Sequence, residues 1–123
     1  MTLSDLSNME LYRGDQASWN VDVSIDMTGA TVYFAVYATF PAGSVANDTT
    51  ALIYKDTADG IVFTDESAGE FTITVDTDDT ADWEFSGEKI HYVYGIEYMP
   101  YGYTYRIAIG SGVFVVYKDV VRT

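Results

Sequence analysis

A single histidine, nineteen carboxylates and no cysteine bound the chemistry open to this 123-residue chain. One histidine leaves no two-histidine metal site, and a Ser-His-Asp relay would have to use His91 as its base. His91 falls on the second face of a strand-like segment and reads as a half-buried strand residue. The lack of cysteine removes thiolate nucleophiles, thiolate metal ligands and disulfide staples, so core packing must hold the fold. A glycosidase pair needs two carboxylates opposed across a cleft, one with a raised pKa. Here most acids stand in turn-like segments or at outward strand positions, and their abundance alone points to no such pair.

Two short patterns call for a direct comparison with known geometry. Counting Asp76 as the first residue of a calcium loop puts Ala81 where glycine is needed and Gly87 where glutamate is needed, so the EF-hand spacing fails. Asp76, Asp78, Asp79 and Asp82 read instead as the N-cap and early acids of one helical turn, with a looser surface calcium site as the alternative. Arg13-Gly14-Asp15 spells a tripeptide read by integrins, but it stands just before a strand and reads as a turn in which Gly14 takes an unusual backbone angle. Gly29, Gly60 and Gly69 stand singly in turns, without the spacing of a phosphate-cradling loop.

Eleven tyrosines are the compositional excess. Tyrosine suits interfaces because it buries a rigid ring and keeps a hydroxyl for a partner. Tyr92, Tyr94 and Tyr105 follow an inward register, whereas Tyr101 and Tyr103 at a hairpin tip have no interior to fill. The candidate partner-binding set is Tyr98, Tyr101, Tyr103, Phe40 and Trp83, for contact with protein or sugar; no catalytic, cofactor or metal residue is assigned. The formal charge of −13 opposes phosphate backbones and anionic membrane surfaces, and favours a basic patch on a neighbouring protein. Nucleic acid and membrane are therefore not expected partners.

The elements that must position these residues follow from period-two alternation. Residues 18–25 interleave Trp19, Val21, Val23 and Ile25 with polar residues. Residues 31–38 are apolar on both faces, as in a strand covered on both sides. Residues 40–51 are rich in turn formers and read as an exposed loop. Residues 52–55 and 61–64 are short strands separated by a tight Asp59-Gly60 turn, and residues 70–75 point Phe71, Ile73 and Val75 inward. Residues 89–99 and 103–109 form a hairpin through Pro100-Tyr101-Gly102. Gly110-Ser111-Gly112 is either a turn or a bulge that bends one long strand between sheets. About seven strands and one short helical turn predict an all-β fold, an antiparallel two-sheet β-sandwich filling a single domain over residues 1–123 behind a short flexible N-terminus. No apolar run is long enough to cross a bilayer. The first residues lack a secretory signal, so folding in the cytoplasm is expected.

Leu11-Tyr12-Arg13-Gly14-Asp15, residues 27–32, Gly69-Glu70-Phe71-Thr72-Ile73, residues 112–116 and the ending Asp119-Val120-Val121-Arg122-Thr123 resemble, over nearly the whole chain, a family of small proteins and N-terminal modules from the tail regions of tailed bacteriophages. The pattern is similar to the N-terminal domain of the upper baseplate protein of lactococcal phages. The resemblance implies an Ig-like sandwich acting as a non-enzymatic virion building block. It would dock other virion proteins in a tail, baseplate or fibre as a homo-oligomer or symmetric array. It also favours the bulged reading of Gly110 and Gly112. Modular members continue into a shaft or receptor-binding domain where this chain stops at Thr123, so an adaptor or a capsid decoration protein is expected in place of a direct receptor binder. A carbohydrate-binding module using Tyr101, Tyr103 and Trp83 on a host glycan is the alternative.

Overall fold

Alternation of apolar and polar side chains becomes eight strands in the computed structural model, which describes residues 8–39 and 51–118. They are β1 (Met9–Tyr12), β2 (Ala17–Asp22), β3 (Thr31–Tyr37), β4 (Ile53–Asp56), β5 (Ile61–Asp65), β6 (Glu70–Val75), β7 (Lys89–Met99) and β8 (Ile107–Tyr117), with one helical turn, α1 (Thr77–Thr80). One sheet has the order β1-β8-β7-β3-β4 and the other β2-β6-β5. Inward side chains of both sheets form one core. Val21, Ile61, Phe71, Ile73 and Val75 face Met9, Val32, Phe34, Tyr94, Ile96 and Phe114, and the edge of Trp19 meets Phe114 with ring centroids 6.0 Å apart. The fold is all-β and sandwich-like.

Strand β6 shows why the alternation is legible: every second residue is buried, and Phe71 and Ile73 are fully enclosed. β3 is an interior strand of its sheet, paired on one side with β4 and on the other with β7. Ala35 and Tyr37 on its second face are as buried as Val32, Phe34 and Val36, as expected of a strand apolar on both sides.

Several expectations are corrected. Among the described residues there are eight strands where about seven were expected, and the added one is β1 at residues 9–12, for which the sequence predicts no strand. Only Met9 and Leu11 carry its inward pattern, too few positions for a period to stand out. The sandwich is not wholly antiparallel, since β1 runs parallel to β8, with Met9 opposite Phe114 and Tyr12 opposite Tyr117. Ile25 lies outside β2 and is exposed. Residues 103–106 are not part of the return strand: Tyr103 N–H closes the turn onto the Pro100 carbonyl at 3.0 Å, and pairing starts at Ile107 opposite Tyr98. Tyr105 is therefore exposed and not inward.

The Gly110-Ser111-Gly112 segment lies inside one continuous strand. Ile96 pairs with Gly110 and Glu97 with Ala108, so Ile109 is the extra residue of a bulge. β8 stays paired with β7 throughout and does not pass between sheets. Gly112 and Gly110 stand opposite Tyr94 and Ile96. Two inward positions without side chains leave room for the fully buried Tyr94 ring. Between β4 and β5 the chain does not make a hairpin but crosses from one sheet to the other. The Asp56 carboxylate holds that crossing by accepting the N–H groups of Ala58 and Asp59 at 2.9 and 3.0 Å.

Candidate functional site

The long β7–β8 ladder delivers the tyrosine-rich turn to one end of the sandwich. Tyr101 is 80% exposed, Tyr105 60% and Tyr103 48%. The rings of Tyr103 and Tyr105 lean together at 5.1 Å with a 54° tilt. Tyr101 lies over the turn before β3, so close that a methyl group on Gly29 would stand 3.0 Å from its Cδ2. That turn is fixed from two sides. Gly29 N–H donates to a Glu66 carboxylate oxygen at 3.1 Å, and Met27 N–H donates to the Glu66 carbonyl at 2.8 Å. The Asp26 carboxylate accepts the Thr28 N–H at 3.0 Å and its hydroxyl at 2.7 Å. These two bonds hold the Asp26 pKa below the usual carboxylate range. Arg106, which follows Tyr105, stacks its guanidinium 3.7 Å from the Tyr33 ring centroid.

Not all candidate residues meet here. Tyr101 and Tyr103 share the exposed end. Tyr98 is half-buried against the core, opposite Val32 and Ile107. Trp83 is half-buried too, its ring edge-on to Tyr92 at 5.2 Å. Tyr92 is six residues from Tyr98 along one strand, so Trp83 lies about 20 Å from the tyrosine end. Phe40 and most of the predicted exposed loop lie outside the described residues, as does the ending from Asp119. Tyr105, Ile25, Asp26 and Glu66 were not singled out by sequence. Tyr105 was hidden by a register count that ran through the turn, and the others are brought to this end only by tertiary pairing.

The remaining patterns resolve into structural uses. Gly14 adopts φ +82°, and its N–H donates to Thr80 Oγ1 at 2.9 Å. Arg13 donates to the Trp83 carbonyl at 2.6 Å and lies 5.0 Å from the Phe85 ring centroid. The tripeptide thus ties the start of β2 to the segment after α1. The acidic string does form a helical turn behind the N-cap Asp76, whose N–H donates to the Asp79 carboxylate at 2.7 Å. Asp79 and Asp76 also hold Lys55 at 2.9 and 3.7 Å. Lys55 points into the core face of β4 and is only 6% exposed. Burial opposes its charge, but the hydrogen bond and charge of Asp79, with the charges of Asp76 and Asp59, outweigh it and raise its pKa.

His91 is on β7 opposite Val115 and is exposed, not half-buried as its strand position suggests. Among the described residues no three His, Asp or Glu side chains are grouped so as to hold a metal ion, and no helix is long and apolar enough to cross a membrane. A shallow depression at the β1 edge is lined by Glu10, Leu11, Tyr12 and Tyr117. There the Tyr117 hydroxyl donates to Glu10 at 3.3 Å, and the Tyr12 and Tyr117 rings stand 5.5 Å apart. No family model matches the chain, and no curated protein matches it.

Proposed function

We propose that the chain is a non-enzymatic docking module of a tailed-bacteriophage particle, an Ig-like building block of the tail, baseplate or fibre attachment that works by contact with other virion proteins. The observation that carries the docking part is the exposed Tyr101, Tyr103 and Tyr105 on a turn held by an eleven-residue strand on each side. Large rings on a preorganised scaffold lose little entropy on binding and make strong interface anchors. The phage assignment rests on the resemblance of residues 11–15, 27–32, 69–73, 112–116 and 119–123. Assembly as a homo-oligomer or symmetric array belongs to the same reading, and a head position as a decoration protein is its variant.

Mass spectrometry of purified particles tests the assignment, with the intact chain expected at a symmetric copy number. Absence from particles, with the isolated chain remaining monomeric, overturns it. Glycan binding lost in Tyr101→Ala would replace it with the carbohydrate-binding reading.

A further inference from the structure

We propose that the tyrosine end of the sandwich is an interaction surface for a cationic protein segment, one that presents lysine or arginine side chains to exposed aromatic rings. This rests on the docking reading and adds the chemistry of the partner. Three loops converge here: residues 23–30, residues 66–69 and residues 100–106. The first two are joined by the hydrogen bonds of Glu66 to Met27 and Gly29, and by that of Val23 N–H to the Gly69 carbonyl at 3.0 Å. The third is joined through Tyr101 on Gly29 and through Thr31 opposite Met99. Their apolar exposure is concentrated in Tyr101, Tyr103, Tyr105 and Ile25.

Around that patch the charge is mostly negative. Asp22 and Glu70 pair across the strand ends, Asp65 and Glu66 open the next turn, and Asp26 caps the turn through Thr28 and Gly29 on which Tyr101 lies. Most of these carboxylates accept local N–H or hydroxyl bonds, which fix their positions without cancelling their charge. The described cation beside them is Arg106, which is stacked on Tyr33. An aromatic centre with an acidic rim is complementary to a Lys- or Arg-bearing segment, whose cations can lie over ring faces and approach the carboxylates. A flat sugar platform fits less well, since the Tyr103 and Tyr105 rings are tilted by 54°.

The test is an amide-resolved NMR titration of the full chain with three probes: a capped lysine-arginine-glycine peptide, its glutamate counterpart and chitohexaose. The cationic peptide is expected to move amides of residues 23–30, 66–69 and 100–106 first. Its affinity should fall about tenfold in Asp26→Asn/Glu66→Gln and at least about fivefold in Tyr101→Ala/Tyr105→Ala. Asp78→Asn/Glu84→Gln, which removes the same charge elsewhere, should leave it within about twofold. Perturbations spread evenly over all acidic surfaces, equal binding of the glutamate peptide, or occupancy of these residues by chitohexaose alone would overturn the proposal. Tyrosine iodination of purified particles separates the two levels. Tyr101 protected in particles, with no response to the cationic peptide, rejects the cationic partner and leaves docking standing. Equal labelling of Tyr101 in free chain and particle rejects docking and this inference together.

Discussion

Lys55 is the residue on which local chemistry and fold meet. Its ammonium is enclosed on the core side of β4 and joined to Asp79. Lys55→Met keeps the volume but leaves that carboxylate without its cation. Asp79 and Asp76 retain partial exposure, so the expected loss is about 1–3 kcal/mol, below the ~3–5 kcal/mol of a fully buried broken pair; urea unfolding measures it. The pH dependence has a definite sign. A lysine whose folded pKa is raised stabilises fully below its unfolded value, near 10.5, and that stability is lost as pH rises through the higher folded value. Tyr94, raised by burial from 10.0, acts in the same direction. Melting temperature should therefore fall steeply above about pH 10, and Tyr94→Phe with Lys55→Met should flatten that fall. The Asp76 cap could be read from sequence because capping is local. The Lys55 partnership could not, since it joins residues more than twenty positions apart that no local pattern links.

Among the elements, the turn into β6 leaves little room for change. Gly69 has φ +75°, and an added methyl group would collide with the Ile25 carbonyl oxygen. Gly69→Ala is expected to cost about 1–3 kcal/mol for the left-handed backbone alone, with further loss as residues 23–25 move away. The drop in denaturation midpoint at unchanged slope checks it. β7 starts and ends where its alternation does, whereas the alternation predicts a start for β8 four residues before its pairing begins and leaves its glycine segment ambiguous. Phase errors arose where an irregular residue intervened. The turn at 100–106 displaced Tyr105 outward, and the Ile109 bulge reset the register beyond it. β1 escaped notice because two inward residues cannot define a period. Its parallel pairing lay beyond sequence because it depends on where β8 runs.

For the whole molecule, the net charge of −13 sets the response to solvent. Self-repulsion opposes the compact state and is screened by salt. Raising sodium chloride from 10 mM to 300 mM should increase the melting temperature, and a flat or falling curve in calorimetry would show that local ion pairs such as Lys55–Asp79 dominate instead. The all-β architecture was legible because alternation needs no tertiary information. The candidate site was legible in part. Tyr101 and Tyr103 were found from the absence of any interior at a hairpin tip, but the acidic rim comes from two other loops and appears only after folding.

The parallel alignment of β1 with β8 has a mechanical meaning. The chain enters this pair beside Phe114 and leaves it beside Tyr12, and the Arg13 N–H bond to the Tyr117 carbonyl at 2.8 Å extends the ladder. Tension applied between residues 8 and 118 pulls the two strands in opposite directions along their own axes. The backbone bonds between them are then loaded together in shear and do not peel one by one. In single-molecule pulling the chain should resist more force from those two points than when tension is applied across the paired residues Lys89 and Tyr117, which peels β8 from β7 bond by bond. A module built this way can transmit tension along its length and remain folded.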